Sequence, residues 1–371
     1  MILYNNVIFR GTAELSPDGI KGAGNLAFGN VEMSSDYFAL KNKSFTADTA
    51  DFSLLTAINQ KVAFSAKDYF TRIDFESRTG NFNYLNEQSS LSFPFNQYIC
   101  TLDEANWQMD EDLLKLNSIG LEQFSGLDSL SYEKLLDYDL SGSQFISTHP
   151  DQDSLSFFTR EATYDLRNYS INASGVKLIR VADLAVFPDD GKVAILEGAR
   201  METIRNAQLI ADTASRLHHF EQVEINIFGK NSYIANGYYN YLSFEGEPQP
   251  IYFSSITPDV KGLTTAIAMI DEADGFKLSP QFKFKGKASV LASRKDLLFE
   301  GGFQPVYFCQ NMDIPWVGFE AVIEPANVAF PIDKKVKSLS NERLYAGLQF
   351  DGLDKNFFGS FLSTADDAST S

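Results

Sequence analysis

Phe9-Arg10-Gly11-Thr12-Ala13-Glu14-Leu15 is followed by Ser16-Pro17-Asp18-Gly19 and then by Ile20-Lys21-Gly22-Ala23-Gly24-Asn25-Leu26-Ala27-Phe28. In the first run, apolar and small residues take every odd position, the period of a strand with one dry face. Pro17 presets a bend and Gly19 is free to take positive φ, so the middle piece is a turn. Together the three pieces predict a β-hairpin. Gly22-Ala23-Gly24 falls inside strand residues and precedes no helix, so it is not a dinucleotide loop.

The same texture continues outward. Val31 to Met33 and Tyr37 to Leu40 read as short strands. Phe45, Ala47 and Thr49 share one parity and Phe52 and Leu54 the other, the shift a β-bulge produces. Tyr69 to Phe75 reads as a strand, and Ser90 to Phe93 as one that stops at Pro94. Trp107 and Met109, then Leu114 and Leu116, flank the acidic turn Asp110-Glu111-Asp112; a hairpin fits, with a short helix from Trp107 to Leu116 as the alternative. Ser131 to Tyr138 predicts one or two helical turns. The polar run Ser147 to Ser154 breaks any strand, and a boundary is placed there, between an N-terminal β region (1–146) and a C-terminal solenoid-like region (155–371).

Past that break, Val176 to Phe187 is apolar and β-branched, and Pro188-Asp189-Asp190-Gly191 is a turn. Very short strands follow at Val193 to Ile195, Ala199 to Met201 and Ala207 to Ile210, the spacing expected of stacked solenoid coils. Longer strands return at Val223 to Gly229, Tyr233 to Tyr241 and Phe282 to Val290, the last with Lys283, Lys285 and Lys287 on its wet face. Two internal echoes accompany the pattern. Phe9-x-Gly11-x-Ala13-x-Leu15 matches Phe284-x-Gly286-x-Ala288-x-Val290, and Ala47-Asp48-Thr49-Ala50 matches Ala211-Asp212-Thr213-Ala214. The fold class is therefore all-β: an elongated β-helix or β-roll solenoid of short strands with longer antiparallel strands, or alternatively stacked β-sandwiches.

Composition agrees. Of 371 residues, 44% are hydrophobic and 22% charged, the mix of a folded protein. Thirty-two Phe and 16 Tyr against 2 Trp favour pleated surfaces. The net charge is −18, with 49 acidic and 31 basic residues, and no basic cluster stands out, which argues against nucleic-acid binding. No run approaches the length of a membrane-spanning helix. The amino end lacks a signal peptide's basic start and apolar run, and the carboxyl end fades into small polar residues; both lead us to expect an excised segment of a longer chain.

Candidates for chemistry are few. His218-His219-Phe220-Glu221 gathers imidazoles and a carboxylate, but adjacent residues of a strand point to opposite faces and do not readily share an ion. His149 sits in the polar break. The acidic pairs Asp110/Asp112, Asp151/Asp153, Asp189/Asp190 and Asp366/Asp367 carry no EF-hand spacing. Arg180 and Asp183 are neighbours in the most solenoid-like stretch, where a lyase would place a base and an acid; surface charge explains them as well. Tyr238, Tyr239, Tyr241, Phe244, Tyr252 and Phe253 either line a sugar-binding face or serve as core. Cys100 and Cys309 have no metal or redox spacing; buried thiols and a single disulfide are both open. No catalytic residue, metal ligand or cofactor is assigned, and no ligand-binding residue is singled out.

Two stretches resemble large β-rich envelope proteins of Bacteroidota: Val181 to Val193, and Phe93-Pro94-Phe95-Asn96-Gln97-Tyr98 followed by Trp107-Gln108-Met109-Asp110. The strand texture of Phe45 to Phe52 also resembles the OstA-type β-roll of lipopolysaccharide transport proteins. These resemblances imply a location in the cell envelope, periplasmic or associated with the outer membrane. They imply a non-catalytic structural or ligand-binding segment that contacts lipid, glycan or other envelope proteins. The alternative is a β-helix polysaccharide lyase or hydrolase. A lipid carrier would show an open apolar trough lined by Phe side chains.

Overall fold

The structure, a computed structural model, describes residues 2–363 apart from 4–5, 18, 57–59, 87–88, 119–125, 128–129, 139, 141–142, 244–246, 307–314, 331, 333–334 and 352–355. The chain is all-β, as its alternation predicts. It divides into two units, Met1–Gln208 with Glu224–Tyr233, and Leu209–Val223 with Ile234–Ser371.

The first unit begins with β1 (Ile2–Leu3) and a meander of five long strands, β2 (Val7–Ser16), β3 (Gly19–Phe28), β4 (Val31–Lys41), β5 (Ser44–Leu55) and β6 (Val62–Asp74). The expected hairpin is β2–β3, in register from Ile8 opposite Ala27 to Ser16 opposite Gly19. One line of irregularities crosses this meander. Register shifts between Gly22 and Gly24 on β3 and between Ala47 and Ala50 on β5, and the buried positions change parity at Ser35/Phe38, Ala47/Ala50 and Ala66/Tyr69. The bulge read from Phe45 to Leu54 is one member of this line. Bulges bend a strand, and aligned bulges bend the whole sheet into two limbs.

Beyond β6 the limbs separate. The chain continues through β7 (Thr79–Asn83), β8 (Ser90–Phe93), β9 (Tyr98–Cys100), β10 (Glu104–Gln108), β11 (Leu113–Asn117), helix α1 (Tyr132–Asp137), β12 (Gln144–Ser147), β13 (Ser156–Phe158), β14 (Glu161–Asp165), β15 (Ser170–Ser174), β16 (Ile179–Val181), β17 (Leu184–Phe187) and β18 (Val193–Ile195). The carboxyl half of β6 pairs with β7, which leads a first ribbon β7–β10–β11–β14–β15–β18. The amino half pairs with β8, which leads a second ribbon β8–β9–β12–β13–β16–β17. After β7, successive hairpins join the two ribbons alternately. The segment 107–116 is a hairpin and no helix, while 132–137 is helical. Within Val176 to Phe187, Ile179 to Phe187 is a hairpin turning at Ala182 (φ 52°). All these pairings are antiparallel, unlike the parallel rungs of a β-helix. Of the short strands expected as coils, Val193 to Ile195 pairs antiparallel with β15, Ala199 to Met201 holds the end of a 3-10 turn and a bridge from Met201 to Ile195, and Ala207 to Ile210 lies within a strand over Ile204–Ala211.

The inner faces of the limbs are apolar and meet through rings. Phe52 lies 4.7 Å from Phe82, Phe93 4.8 Å from Tyr164, and Phe9 6.0 Å from Phe38. Phe38, Phe64, Phe82, Phe93 and Phe145 are fully buried against such neighbours, so these phenylalanines form a packed core and line no open trough. Phe93 to Tyr98 locks the limbs together. Phe95 stacks on Tyr169 at 4.4 Å, and the buried Asn96 donates through Nδ2 to the carbonyls of Tyr169 (2.7 Å) and Ile195 (3.0 Å). The polar segment 147–154 lies inside this unit. There the buried Gln152 accepts from the Tyr98 hydroxyl at 3.2 Å and donates to the Ala199 carbonyl at 2.6 Å.

The strands β19 (Ile204–Ala211), β20 (His218–Gly229) and β21 (Ser232–Tyr241) carry the chain between the two units. The second unit continues with β22 (Gln249–Pro258), β23 (Thr264–Ile270), β24 (Lys277–Ser279), β25 (Phe282–Leu291), β26 (Leu297–Pro305), β27 (Val317–Ile323), β28 (Tyr345–Asp351) and β29 (Asn356–Ser363). β21, β22, β23, β25, β26 and β27 pair in that order, β24 pairs with β25, and β28–β29 is a separate hairpin. Its core holds Phe220, Tyr241, Phe253, Phe284 and Phe299.

Of the two sequence echoes, the first has a structural basis. Gly11 faces Gly24 across β2–β3, and Gly286 faces Gly301 across β25–β26. The second does not: Ala47 to Ala50 sits on the bend of β5, whereas Asp212 (φ 52°) turns the chain and accepts from the Ala214 amide at 3.1 Å.

Candidate functional site

The outer face of the first ribbon is mostly polar, with Leu113 and Ala194 as apolar members. Pleating sends alternate residues outward, and antiparallel register places one residue per strand in a row, with strands roughly 4.8 Å apart. One row runs Arg72, Asn81, Asn106, Lys115, Thr163, Asn172, and the next runs Asn83, Glu104, Asn117, Glu161, Ser174. Within the first row, Asn106 Nδ2 donates to Asn81 Oδ1 at 2.6 Å. The residues between these positions, such as Phe82, Leu114, Leu116, Tyr164 and Ile171, form the core. Burial of the inner face thus dictates which side chains compose the outer one.

Toward β18 this face becomes the floor of an open groove of about 790 Å³. Lys115, Asn117, Glu161, Thr163, Asn172 and Ser174 lie on the floor, and the turn at Asp189–Asp190 and the segment Glu202–Asn206 stand as the wall. Asn206 Nδ2 donates to Asp189 at 2.8 Å, and Thr203 Oγ1 donates to Asn226 Oδ1 at 2.6 Å, which braces that wall. Three of the four lining carboxylates, Glu161, Asp189 and Asp190, have side-chain partners, whereas Glu202 has none among the described residues. Glu161 accepts from Ser174 at 2.9 Å, Asp190 pairs with Lys192 at 3.2 Å, and Arg205 pairs with Glu224 at 3.5 Å. A floor of amides and hydroxyls, each donating and accepting, matches a ligand whose own groups do both. An apolar ligand would leave those groups unpaired.

Apart from Asp189 and Asp190, which stand in the groove wall, the described residues picked out by sequence lie elsewhere. His218 is buried, with Nε2 2.6 Å from the Arg294 carbonyl, while His219 Nε2 is 3.0 Å from the Arg216 carbonyl; the two rings point apart as strand neighbours do. Desolvation holds His218 below the usual imidazole range. His149 Nδ1 accepts from the Asp151 amide at 3.1 Å and caps a turn. Asp112 pairs with Arg167 at 3.2 Å, Asp110 pairs with Arg78, and Asp153 accepts from Asn231 at 3.1 Å. Asp189–Gly191 is the predicted turn, with Gly191 at φ 65°. Among the described residues no three His, Cys, Asp or Glu side chains converge as metal ligands. Arg180 donates to the Leu136 carbonyl at 3.0 Å. Tyr241 and Phe253 are core, whereas Tyr238 and Tyr252 face solvent as a cross-strand pair with centroids 5.2 Å apart. Cys100 is a free, buried thiol pushed up by desolvation. Cys309, Phe244 and Asp366/Asp367 lie outside the described residues. No described helix is long and apolar enough to cross a membrane.

Sequence reading missed the groove. Its only local signal is the run of Asn, Ser and Thr at outward parity. The pairing of β11 with β14 spans some forty residues of chain, and no local pattern reveals it. No family model matches the chain, and no curated protein sequence matches it either.

Proposed function

We propose that this chain is a non-catalytic β-scaffold of a bacterial cell-envelope protein, and that it holds glycan along the polar groove of its first unit. The observation that carries the reading is the two-row ladder of amide and hydroxyl side chains, interspersed with Lys115 and Glu161, that becomes the groove floor. Sugar hydroxyls both donate and accept, and such a ladder repeats donors and acceptors at a fixed spacing along an extended chain. The envelope location rests on the resemblance carried by Phe93 to Tyr98 and Val181 to Val193. Asn96 and the hairpin at Ala182 give those stretches a scaffold role. The finer architecture we propose is a β-roll, in which hairpins taken alternately by two facing ribbons form each coil and the bent sheet acts as a rigid spacer among other envelope proteins.

A polysaccharide lyase or hydrolase needs an acid and a base free to converge on one bond. In the groove Glu161, Asp189 and Asp190 are held by Ser174, Asn206 and Lys192, and only Glu202 lacks a side-chain partner among the described residues; one such carboxylate falls short of a converging acid–base pair, which favours the scaffold. A lipid ligand would meet polar side chains there.

The test is calorimetric titration of the full chain with neutral cello-, xylo- and manno-oligosaccharides, repeated on the Thr163→Val/Asn172→Leu variant. We expect one series to bind and the variant to weaken it by about tenfold, as for two lost hydrogen bonds. No binding by any series, or undiminished binding by a folded variant, overturns the glycan reading. Release of shortened or unsaturated sugars on prolonged incubation overturns the non-catalytic one.

A further inference from the structure

The second ribbon carries a different recess, of about 370 Å³, on its outer side. Its apolar lining is Leu140, Phe157, Phe158 and Leu178, and its polar lining is Tyr138, Ser154, Ser156, Arg180 and Lys230. In a chain with 49 acidic and 31 basic residues, two cations and no carboxylate among the described lining residues is an inverted balance. Neither cation is ion-paired among the described residues. Arg180 spends one N–H on the Leu136 carbonyl at 3.0 Å, which fixes its guanidinium beside the end of α1 and leaves its other donors available. Lys230 is anchored by its backbone, donating to Gln152 at 3.0 Å and accepting from Ala182 at 2.7 Å. Asp153, the nearest acid to Ser154 in sequence, is engaged by Asn231 at 3.1 Å.

We infer that this recess binds a small organic anion, with its oxyanion held between Arg180 and Lys230 and its body lying on Phe158 and Leu178. A fixed guanidinium and a mobile ammonium are the usual pair for a carboxylate or phosphate, and two adjacent hydroxyls supply further donors. The apolar floor gains only if the anion carries a body, so inorganic phosphate alone is the weaker ligand. The site lies on the opposite limb from the polar groove, so the two proposals succeed or fail separately.

Ligand-observed NMR on the full chain tests this with benzoate, glucuronate and inorganic phosphate. The expected result is saturation transfer to benzoate or glucuronate, with phosphate competing weakly. Preference for benzoate identifies an apolar-bodied acid, and preference for glucuronate an acidic sugar. Arg180→Gln/Lys230→Gln should reduce binding by at least about tenfold, the loss expected for charge-assisted bonds. Absence of transfer to either organic anion, or binding that survives in the folded double variant, overturns the proposal. Should the double variant fail to fold, wild-type protein loaded with benzoate and titrated with sulfate decides: displacement supports the site and indifference overturns it.

Discussion

Gly286 on β25 and Gly301 on β26 stand directly opposite each other, and both adopt backbone angles that L side chains rarely take, φ 138° and 158°. A Cβ on Gly286 would lie 2.7 Å from the Gly301 Cα, and one on Gly301 2.8 Å from the Gly286 Cα. The two backbones therefore approach only because both residues lack side chains. Gly11 and Gly24 repeat the arrangement in the first unit, where Gly24 has φ 142°. The echoed Phe-x-Gly-x-Ala motif marks one arm of each pair. Gly301→Ala should lower stability by roughly 2–4 kcal/mol, combining backbone strain with a backbone clash. Gly275→Ala, at φ 64° with open space around its Cβ, should lose only about 1 kcal/mol. Chemical denaturation of the two variants checks the contrast; equal losses would refute the close-approach explanation.

His218 makes the stability of the second unit depend on pH. Burial disfavours its charged form first; the bond to the Arg294 carbonyl opposes that, His219 adds to it, and Asp212 and Asp296 oppose it, with a net depression. Nδ1 is buried with no hydrogen-bond partner among the described residues, so protonation there would place a charge and an unsatisfied donor in the core. The folded pKa lies below the unfolded one, so the unfolded chain takes up the proton first. Stability is full above the unfolded value near 6.5 and declines as pH falls through it toward the folded pKa. Thermal midpoints between pH 7.5 and 5 should fall in the wild type and stay flatter in His218→Phe, which keeps a ring against Tyr239. A parallel decline in both would remove His218 as the cause.

Asn96 explains why a buried amide sits in the Phe93–Tyr98 turn. Its Nδ2 satisfies two carbonyls from the opposite ribbon, of Tyr169 and Ile195. Asn96→Leu should orphan both and lower stability by roughly 2–4 kcal/mol, measured by urea unfolding. Gln97→Gly, on a half-buried neighbour at φ 51°, tests instead the cost of a left-handed turn residue and should change stability by under about 1 kcal/mol.

Local pattern was enough for the strands and not for their partners. Alternation at Phe282 to Val290, the stop at Pro94, the parity shift in β5 and the turn at Pro188–Gly191 were all legible, because each depends on a few consecutive residues. The bend line was not: it needs Gly22/Gly24, Ser35/Phe38, Ala47/Ala50 and Ala66/Tyr69 in register, which is a property of four strands together. Short strands in quick succession read as coils because β18, the bridge at Met201 and the buried part of β19 present short apolar pieces at the spacing of coil strands, and only long-range pairing such as β15 with β18 distinguishes them. The groove was hidden for the same reason, since Lys115, Thr163 and Asn172 become neighbours only through pairing across distant segments.

The tyrosines of β21 and β22 show how one run divides, and they yield a last prediction. Pleating sends Tyr241 inward, where its hydroxyl donates to the Leu278 carbonyl at 3.0 Å, and turns Tyr238 outward against Tyr252. Tyr252 is tethered by donating to Asn236 Oδ1 at 3.2 Å. Tyr241→Ala should therefore lose roughly 3–5 kcal/mol, a cavity plus an orphaned carbonyl. Tyr241→Phe should lose only about 1 kcal/mol, the hydrogen bond alone. Tyr238→Ala and Tyr252→Ala should each lose under about 1 kcal/mol, and a double-mutant cycle between them should return a coupling near 0.5–1 kcal/mol for the ring pair. A large single loss at Tyr238 would mean that the outer face of this sheet is covered by something that unfolding exposes, and the face would then have to be treated as an interface.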